Sequence, residues 1–124
     1  MTERYVELHA RSAFSFLEGA SLPEELISVC SDLGSTAMAL LDRDGVYGAP
    51  RFHLAAQKTG IKAHIGSEIT LALESGHASR ITHHSSLITL PLLVDTRTGY
   101  QNLCRLITTM KGGVGKGKAV LSLA

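Results

Sequence analysis

The sequence has few cysteines, little net charge and no long apolar run. It contains 124 residues, with 2 cysteines and a formal net charge of +1. Cys30 and Cys104 lie within apolar helical patterns, so we expect reduced, buried thiols. No apolar run approaches the ~20 residues that a membrane-spanning helix needs, and the first residues do not resemble a signal peptide. These absences predict a cytoplasmic protein without a membrane partner.

Acidic residues are missing from one end of the chain. None follows Asp95, whereas five basic residues do: Arg97, Arg105, Lys111, Lys116 and Lys118. Such a basic end could meet phosphate, but a solvated surface is the simpler interpretation. The overall charge balance gives no indication of nucleic acid.

Apolar segments of strand length alternate with segments of helical period. The strand candidates are 5–9, 37–41, 61–65 and 87–94, and the helix candidates are 21–33, 50–59 and 99–110. We expect Ser21 to cap the first helix, with Glu24 completing a capping box, and residues 87–94 to be a buried strand. The polar stretch 74–86 is predicted to be a loop.

A spacing of about 30 residues between strands is typical of βα units with a parallel sheet. About four such units fit into this chain, whereas a closed eight-unit barrel needs ~250 residues. The predicted fold is therefore α/β, a truncated (β/α) barrel with a mainly parallel sheet.

Three polar residues fall where predicted strands end. His9 follows the first strand, Asp42 the second and Glu68 the third. Functional side chains gather at the carboxyl ends of parallel strands, and imidazole with carboxylates can hold Zn²⁺ or Mn²⁺ for phosphoester hydrolysis. Each residue also has a structural explanation: a capping aspartate, a solvated glutamate or a core histidine.

Four segments, taken together, are similar to the PHP (polymerase and histidinol phosphatase) domain of bacterial polymerase alpha subunits. They are 5–19, 41–48, 60–68 and 92–106, and they occur in the family's order. The first segment most resembles the error-prone branch. The resemblance implies a PHP-type barrel and metal-ligand positions at Glu7, His9, Glu18, Asp42 and Glu68.

The same resemblance reveals substituted ligand positions. Arg11 and Arg43 each stand where the family has a histidine, and Thr89 stands at a third histidine position of the family. A guanidinium has no lone pair to offer a cation. We therefore expect Zn or Mn to bind weakly or not at all, and expect the arginines to form salt bridges with Asp42 or Glu68.

The resemblance implies a degenerate, structural PHP segment (1–110) with a Gly/Lys-rich tail (111–124), in an error-prone DNA polymerase active in replication and repair. The remainder of the alpha subunit would be its partner, and DNA would be met through the full-length protein. A homo-oligomer through an open sheet edge is a further expectation. The segment alone should be inactive; the alternative is a metal-dependent phosphoesterase or 3′–5′ exonuclease.

Two other patterns are weaker. Residues 111–117 resemble a phosphate-binding loop, but Gly117 replaces the hydroxyl residue that Mg²⁺ needs, and the loop follows a helix. ATP binding there is a third possible function, although a flexible linker is favoured and we predict no phosphate site. His77, His83 and His84 lie in the polar stretch and are expected to be solvated. His53 and His64 are assigned no role.

Overall fold

The structure, a computed structural model, describes residues 5–73, 86–113 and 121–123. Along the chain the elements are β1 (Glu7–Ala10), α1 (Pro23–Asp32), β2 (Ala37–Arg43), α2 (Ala49–Thr59), β3 (Lys62–Leu73), β4 (Ser86–Leu93), α3 (Arg97–Lys111) and β5 (Leu121–Leu123). The predicted loop over 74–86 lies outside the described residues, apart from Ser86, which belongs to β4. The division of the chain at residue 110 remains a prediction.

Among the described residues the sheet is five-stranded and mainly parallel, which confirms the predicted α/β class. Its order is β1-β2-β3-β4, and β5 pairs with β3 beyond the end of β2. β1, β2, β3 and β5 pair in parallel, whereas β3 and β4 are antiparallel. The regular βα alternation therefore breaks at β3, a 12-residue strand that extends well beyond the predicted segment 61–65.

Two apolar clusters hold the helices against the sheet. Ile27 of α1 and Phe52 of α2 are fully buried and pack against Met38 and Leu40 of β2. The second cluster joins β3 to α3; its buried members are Ile69, Leu71, Leu103, Ile107 and Met110. Complete burial of a large apolar side chain contributes roughly 1.5–3 kcal/mol. Together these contacts fix the strands that carry the polar residues described below.

The start of α1 differs from the prediction by one residue. Leu22 is the N-cap, and its backbone N–H donates to Glu25 Oε2 at 2.8 Å. Pro23 occupies the first helical turn, where its missing N–H costs nothing, and this places the cap at Leu22 instead of Ser21. Glu24, expected in the capping box, pairs with Arg51 of α2 instead.

β4 is not the buried strand that its apolar sequence predicts. Leu87, Ile88, Leu90 and Leu93 expose 60%, 42%, 45% and 50% of their surface. Within the described part of the chain, β4 pairs with β3 alone. No other described strand covers its second edge, and several side chains on both faces are exposed. No helix among the described residues is long and apolar enough to cross a membrane.

Candidate functional site: an arginine–carboxylate cluster

Side chains from neighbouring strands meet on one face of the sheet. Parallel pairing places Arg43, the last residue of β2, directly beside Glu68 of β3. His9 lies in β1, and Arg11 follows the end of that strand. Register and strand alternation thus bring these four side chains together. Of the three residues expected to converge, His9 and Glu68 meet here, together with two arginines, whereas the Asp42 side chain faces the other side of the sheet.

Glu68 is the centre of this group. Its Oε2 accepts from an Arg11 guanidinium N–H and lies 3.2 Å from His9 Nε2. Its Oε1 accepts from Thr89 Oγ1 of β4 at 2.7 Å, and Arg43 Nη2 lies 4.0 Å from Oε2. The residue is only 4% exposed. A buried carboxylate needs such partners, since a bare buried charge is strongly unfavourable.

Glu18, in the segment between β1 and α1, bridges the two arginines. Arg11 Nη1 is 3.1 Å from Glu18 Oε2, and Arg43 Nη2 is 3.2 Å from Glu18 Oε1. Arg43 Nε also donates to Oε2 at 3.2 Å. Two guanidiniums and two carboxylates thus balance in charge. We call the six residues His9, Arg11, Glu18, Arg43, Glu68 and Thr89 the ion cluster.

The ion cluster strongly favours the charged form of Glu68. Burial raises the pKa of this carboxyl, but hydrogen bonds from Thr89, Arg11 and His9, together with the charge of Arg11, outweigh burial. The net result lowers the pKa of Glu68 from 4.5 to about 2. The carboxylate is therefore ionised throughout the physiological range.

Asp42, expected as a metal-ligand position or as a partner of the arginines, has a different role. It is 1% exposed, and both of its oxygens are occupied by groups from the segment that follows β1. Oδ1 accepts from Ser12 N and Ser15 Oγ, both at 2.7 Å, and Oδ2 accepts from Ser12 Oγ at 2.8 Å. We call Asp42, Ser12 and Ser15 the serine clasp. The arginines pair with Glu68, as predicted, and with Glu18, but not with Asp42.

Glu7 is bonded locally rather than to the ion cluster. Its carboxylate accepts from the Tyr5 hydroxyl at 2.5 Å and from the His9 backbone N–H at 2.7 Å. The hydrogen bond from Tyr5, followed by that from His9, lowers the pKa of Glu7. Glu7 therefore braces the start of β1.

The side chains at this site do not fit a divalent metal ion. Within the described ranges, no three His, Cys, Asp or Glu side chains are grouped so that they could hold one. Glu68 and Glu18 already accept from guanidiniums, and Asp42 accepts from hydroxyls. Guanidiniums offer no lone pair, and their positive charge would repel a cation at this position. No reaction step through a metal can be derived from this arrangement.

Sequence reasoning did not identify Ser12 and Ser15. Both are fully or almost fully buried, at 0% and 1% exposure. Their spacing of three residues just after a strand was the available signal, since short hydroxyl side chains often bond in turns. Thr89 appeared only as a lost ligand, yet it is a hydrogen-bond donor to Glu68.

The weaker sequence patterns lie largely beyond the described residues. His77, His83 and His84 fall outside them, as do residues 114–117 of the glycine–lysine loop. The first residues of that loop are described: α3 ends at Lys111, and Gly112 is its C-cap. Lys111 lies over the ring of Tyr47, 4.5 Å from its centroid.

Cys30 is buried and Cys104 half-buried, and both are free thiols.

Comparison with known proteins agrees with the resemblance noted from the sequence motifs. Residues 7–120 match the PHP domain family. An error-prone DNA polymerase of Anaeromyxobacter sp. (strain K) is 42% identical over 90% of this chain. One from Bordetella parapertussis is 39% identical over 97% of it. The chain spans 9% and 11% of the length of these relatives.

Solved structures show the same fold. An amidohydrolase from Chromobacterium violaceum, solved with bound sulfate and no metal, aligns with a TM-score of 0.62 at 22% identity. The alignment covers 87% of this chain and 34% of that protein. A putative metal-dependent phosphoesterase from Bifidobacterium adolescentis aligns with a TM-score of 0.59 at 18% identity. The partial coverage of these neighbours agrees with the prediction of a truncated barrel.

Proposed function

Because this chain belongs to the PHP domain family, we propose that it is a structural segment of an error-prone DNA polymerase alpha subunit. Two relatives are named error-prone DNA polymerase, and this chain corresponds to 9–11% of their length. Replication and repair synthesis, contact with DNA and a cytoplasmic location would then belong to the longer polymerase. The segment itself would stabilise the subunit without catalysing a reaction.

One observation carries the structural role: the carboxylate of Glu68 is held by a guanidinium. Arg11 donates directly to Glu68 Oε2, while Arg43 approaches the same oxygen to 4.0 Å. Glu18 closes the group by pairing with both arginines. The ion cluster therefore supplies its own cations, and it ties β1, β2, β3 and β4 together without a metal.

Metal titration tests this proposal. We expect neither Zn²⁺ nor Mn²⁺ to give saturable, stoichiometric binding to the purified chain in isothermal titration calorimetry, because guanidiniums occupy the position of a cation. We also expect no rise in the melting temperature, since a metal that binds only the folded state would stabilise that state.

The matched comparison is the double variant Arg11→His, Arg43→His. It returns imidazoles to the two positions where the family pattern has histidine. Metal binding by the double variant alone would support the proposal. Tight one-to-one binding by the unaltered chain would contradict it.

The contact between His9 and Glu68 favours one alternative, a metal-dependent phosphoesterase or 3′–5′ exonuclease. Their side chains approach to 3.2 Å. This alternative expects phosphodiester hydrolysis that depends on added Mn²⁺ and disappears in Glu68→Ala. His9→Gln is the better-controlled variant, because the His9 side chain is 48% exposed and its loss should spare the fold.

The open side of β4 is the proposed contact with the remainder of the subunit. Leu87 and Leu93 are exposed on one face and Ile88 and Leu90 on the other. Strands that are apolar on both faces are ordinarily buried on both, and an unpaired edge invites pairing with another chain. In isolation, a second copy of this chain would take the same edge.

We therefore expect the isolated chain to self-associate as its concentration rises. The double variant Ile88→Lys, Leu90→Lys should remain monomeric, because charged side chains on an edge strand oppose pairing. Size-exclusion chromatography with light scattering measures the mass. Leu54→Lys, at a position 57% exposed on α2, is the matched control. A chain that stays monomeric at every concentration would disprove self-association.

A further inference from the structure

A second cleft lies away from the ion cluster, between α2 and the start of α3. The first residues of β3 form part of its wall, together with the segment that joins β4 to α3. Its volume is about 730 Å³, which falls within the range of roughly 300–1,000 Å³ typical of small-molecule sites. It shares no residue with the ion cluster or the serine clasp.

Two cationic side chains and two imidazoles line this cleft. Lys62 of β3 and Arg97 of α3 carry positive charge, His53 of α2 and His64 of β3 add the imidazoles, and Asp95 is the only acidic residue among the described lining residues. Within the described part of the chain, none of these four residues pairs with a carboxylate. The lysine and the arginine attract an anion, and both residue types bind phosphate.

The remaining lining adds an apolar surface and an aromatic ring. Ala63, Ile65 and Val94 contribute apolar area, and Tyr100 is half-buried. Small-molecule sites combine an apolar lining with a few polar groups that fix orientation. The phenol ring offers a flat surface on which a base can stack, as in the aromatic platforms of nucleic-acid-binding proteins.

The beginning of α3 reinforces the preference for an anion. This 15-residue helix has Thr96 as N-cap, and Thr96 Oγ1 accepts from Gly99 N. No acidic residue occupies its first turn, so within the helix no carboxylate offsets the positive end of the dipole. Asp95 directly precedes the N-cap. Arg97 and Thr96 of this turn are both lining residues. Backbone and side chains thus contribute positive potential at the same end of the cleft.

From these features we propose that the α2–α3 cleft binds a nucleotide through its phosphate, with the base against Tyr100. The ligand is either a free nucleoside phosphate or the terminal nucleotide of a single strand, which share this chemistry. The site gives His53 and His64 a role that the sequence pattern did not assign. It is independent of the proposed structural role of the ion cluster.

The experiment is a binding titration with three probes on the full chain. Deoxyadenosine monophosphate, a short 5′-phosphorylated single strand and unphosphorylated deoxyadenosine are titrated while ¹H–¹⁵N NMR spectra are recorded. The monophosphate should shift resonances in 62–65 and 94–100, and deoxyadenosine should bind far more weakly. Binding of the single strand at the same resonances identifies a strand end; its failure to bind identifies the free nucleotide.

The double variant Lys62→Gln, Arg97→Gln should raise the Kd of the monophosphate at least about tenfold, because each removed group can make a charge-assisted hydrogen bond. The matched control is Lys58→Gln, Arg105→Gln, which removes the same two charges from exposed positions of α2 and α3 outside this cleft. Salt screens the long-range effect of these two charges on the bound phosphate. The control variant should therefore keep the Kd of the monophosphate within about twofold of that of the unaltered chain.

Three results would overturn the nucleotide site. They are the absence of saturable binding, equal weakening in the variant and its control, and shifts confined to Arg11 and Arg43. The last would place the anion at the ion cluster. Retained dispersion of the NMR spectra in the variants establishes that they are folded, so that a loss of affinity reports on the cleft. Metal binding at Glu68, if found, would leave this proposal untouched.

Discussion

Replacement of Asp42 by alanine should lower the free energy of unfolding by about 4.5 kcal/mol, since it removes the acceptor of three hydrogen bonds, and a hydrogen bond to a charged group contributes at least roughly 1.5 kcal/mol. The donors left behind, Ser12 N, Ser12 Oγ and Ser15 Oγ, have no access to water, because both serines are buried. Urea denaturation followed by circular dichroism measures the difference. The segment after β1 should lose its attachment to the sheet.

Two variants calibrate this effect. Asp32→Ala removes an exposed carboxylate at the end of α1, and a surface change of this kind usually stays within about 0.5 kcal/mol. Asp42→Asn keeps an oxygen that can accept from Ser12 and Ser15, and should recover part of the loss. If Asp42→Ala cost no more than Asp32→Ala, the serine clasp would not be a stabilising feature.

Replacement of Glu68 by alanine should cost about 3 kcal/mol, the lower end of the range for breaking a buried ion pair. The variant leaves Arg11 and Arg43 with only Glu18, and leaves Thr89 without its acceptor. Glu18→Ala is the informative comparison. The Glu18 side chain is 37% exposed, so its removal should cost no more than about 1 kcal/mol.

The Glu68 effect should depend on pH. The folded state lowers the pKa of Glu68 from 4.5 to about 2, so the unfolded chain takes up its proton first as pH falls. The contribution is fully present above 4.5 and is lost as pH falls towards 2. The stability difference between the unaltered chain and Glu68→Ala should therefore shrink over that interval. A difference that stays constant from pH 6 to pH 3 would contradict the ion cluster as described.

The sequence predicted more of the fold than of the side-chain bonding. Helix ends were readable where glycine adopts a left-handed backbone, as Gly60 does at φ 76° after α2. The antiparallel β3–β4 pair was not predicted, because an apolar run indicates a strand but not the direction of its neighbour. Exposure of β4 was also missed, since the sequence of a strand cannot show whether its second neighbour is present.

For the site, the sequence correctly predicted that His9 and Glu68 converge, but it did not predict that the Asp42 side chain faces away from them. Parallel register predicted that His9, Asp42 and Glu68 would share one end of the sheet. Adjacent residues of a strand face opposite ways, so Asp42 faces the buried serines while Arg43 faces Glu68. The charges of Asp42 and Glu68 are the same, so charge could not predict their different roles. Asp42 is buried against two serines, whereas Glu68 accepts from a guanidinium.

The ion cluster also has a kinetic consequence. Its bonds to Glu68 join residues far apart in sequence: Arg11 is 57 positions away and His9 is 59. Such contacts close long loops and can form only after the strands between them are in place. We expect them to be largely absent when the chain crosses its folding barrier, so the cluster should slow unfolding far more than it speeds folding.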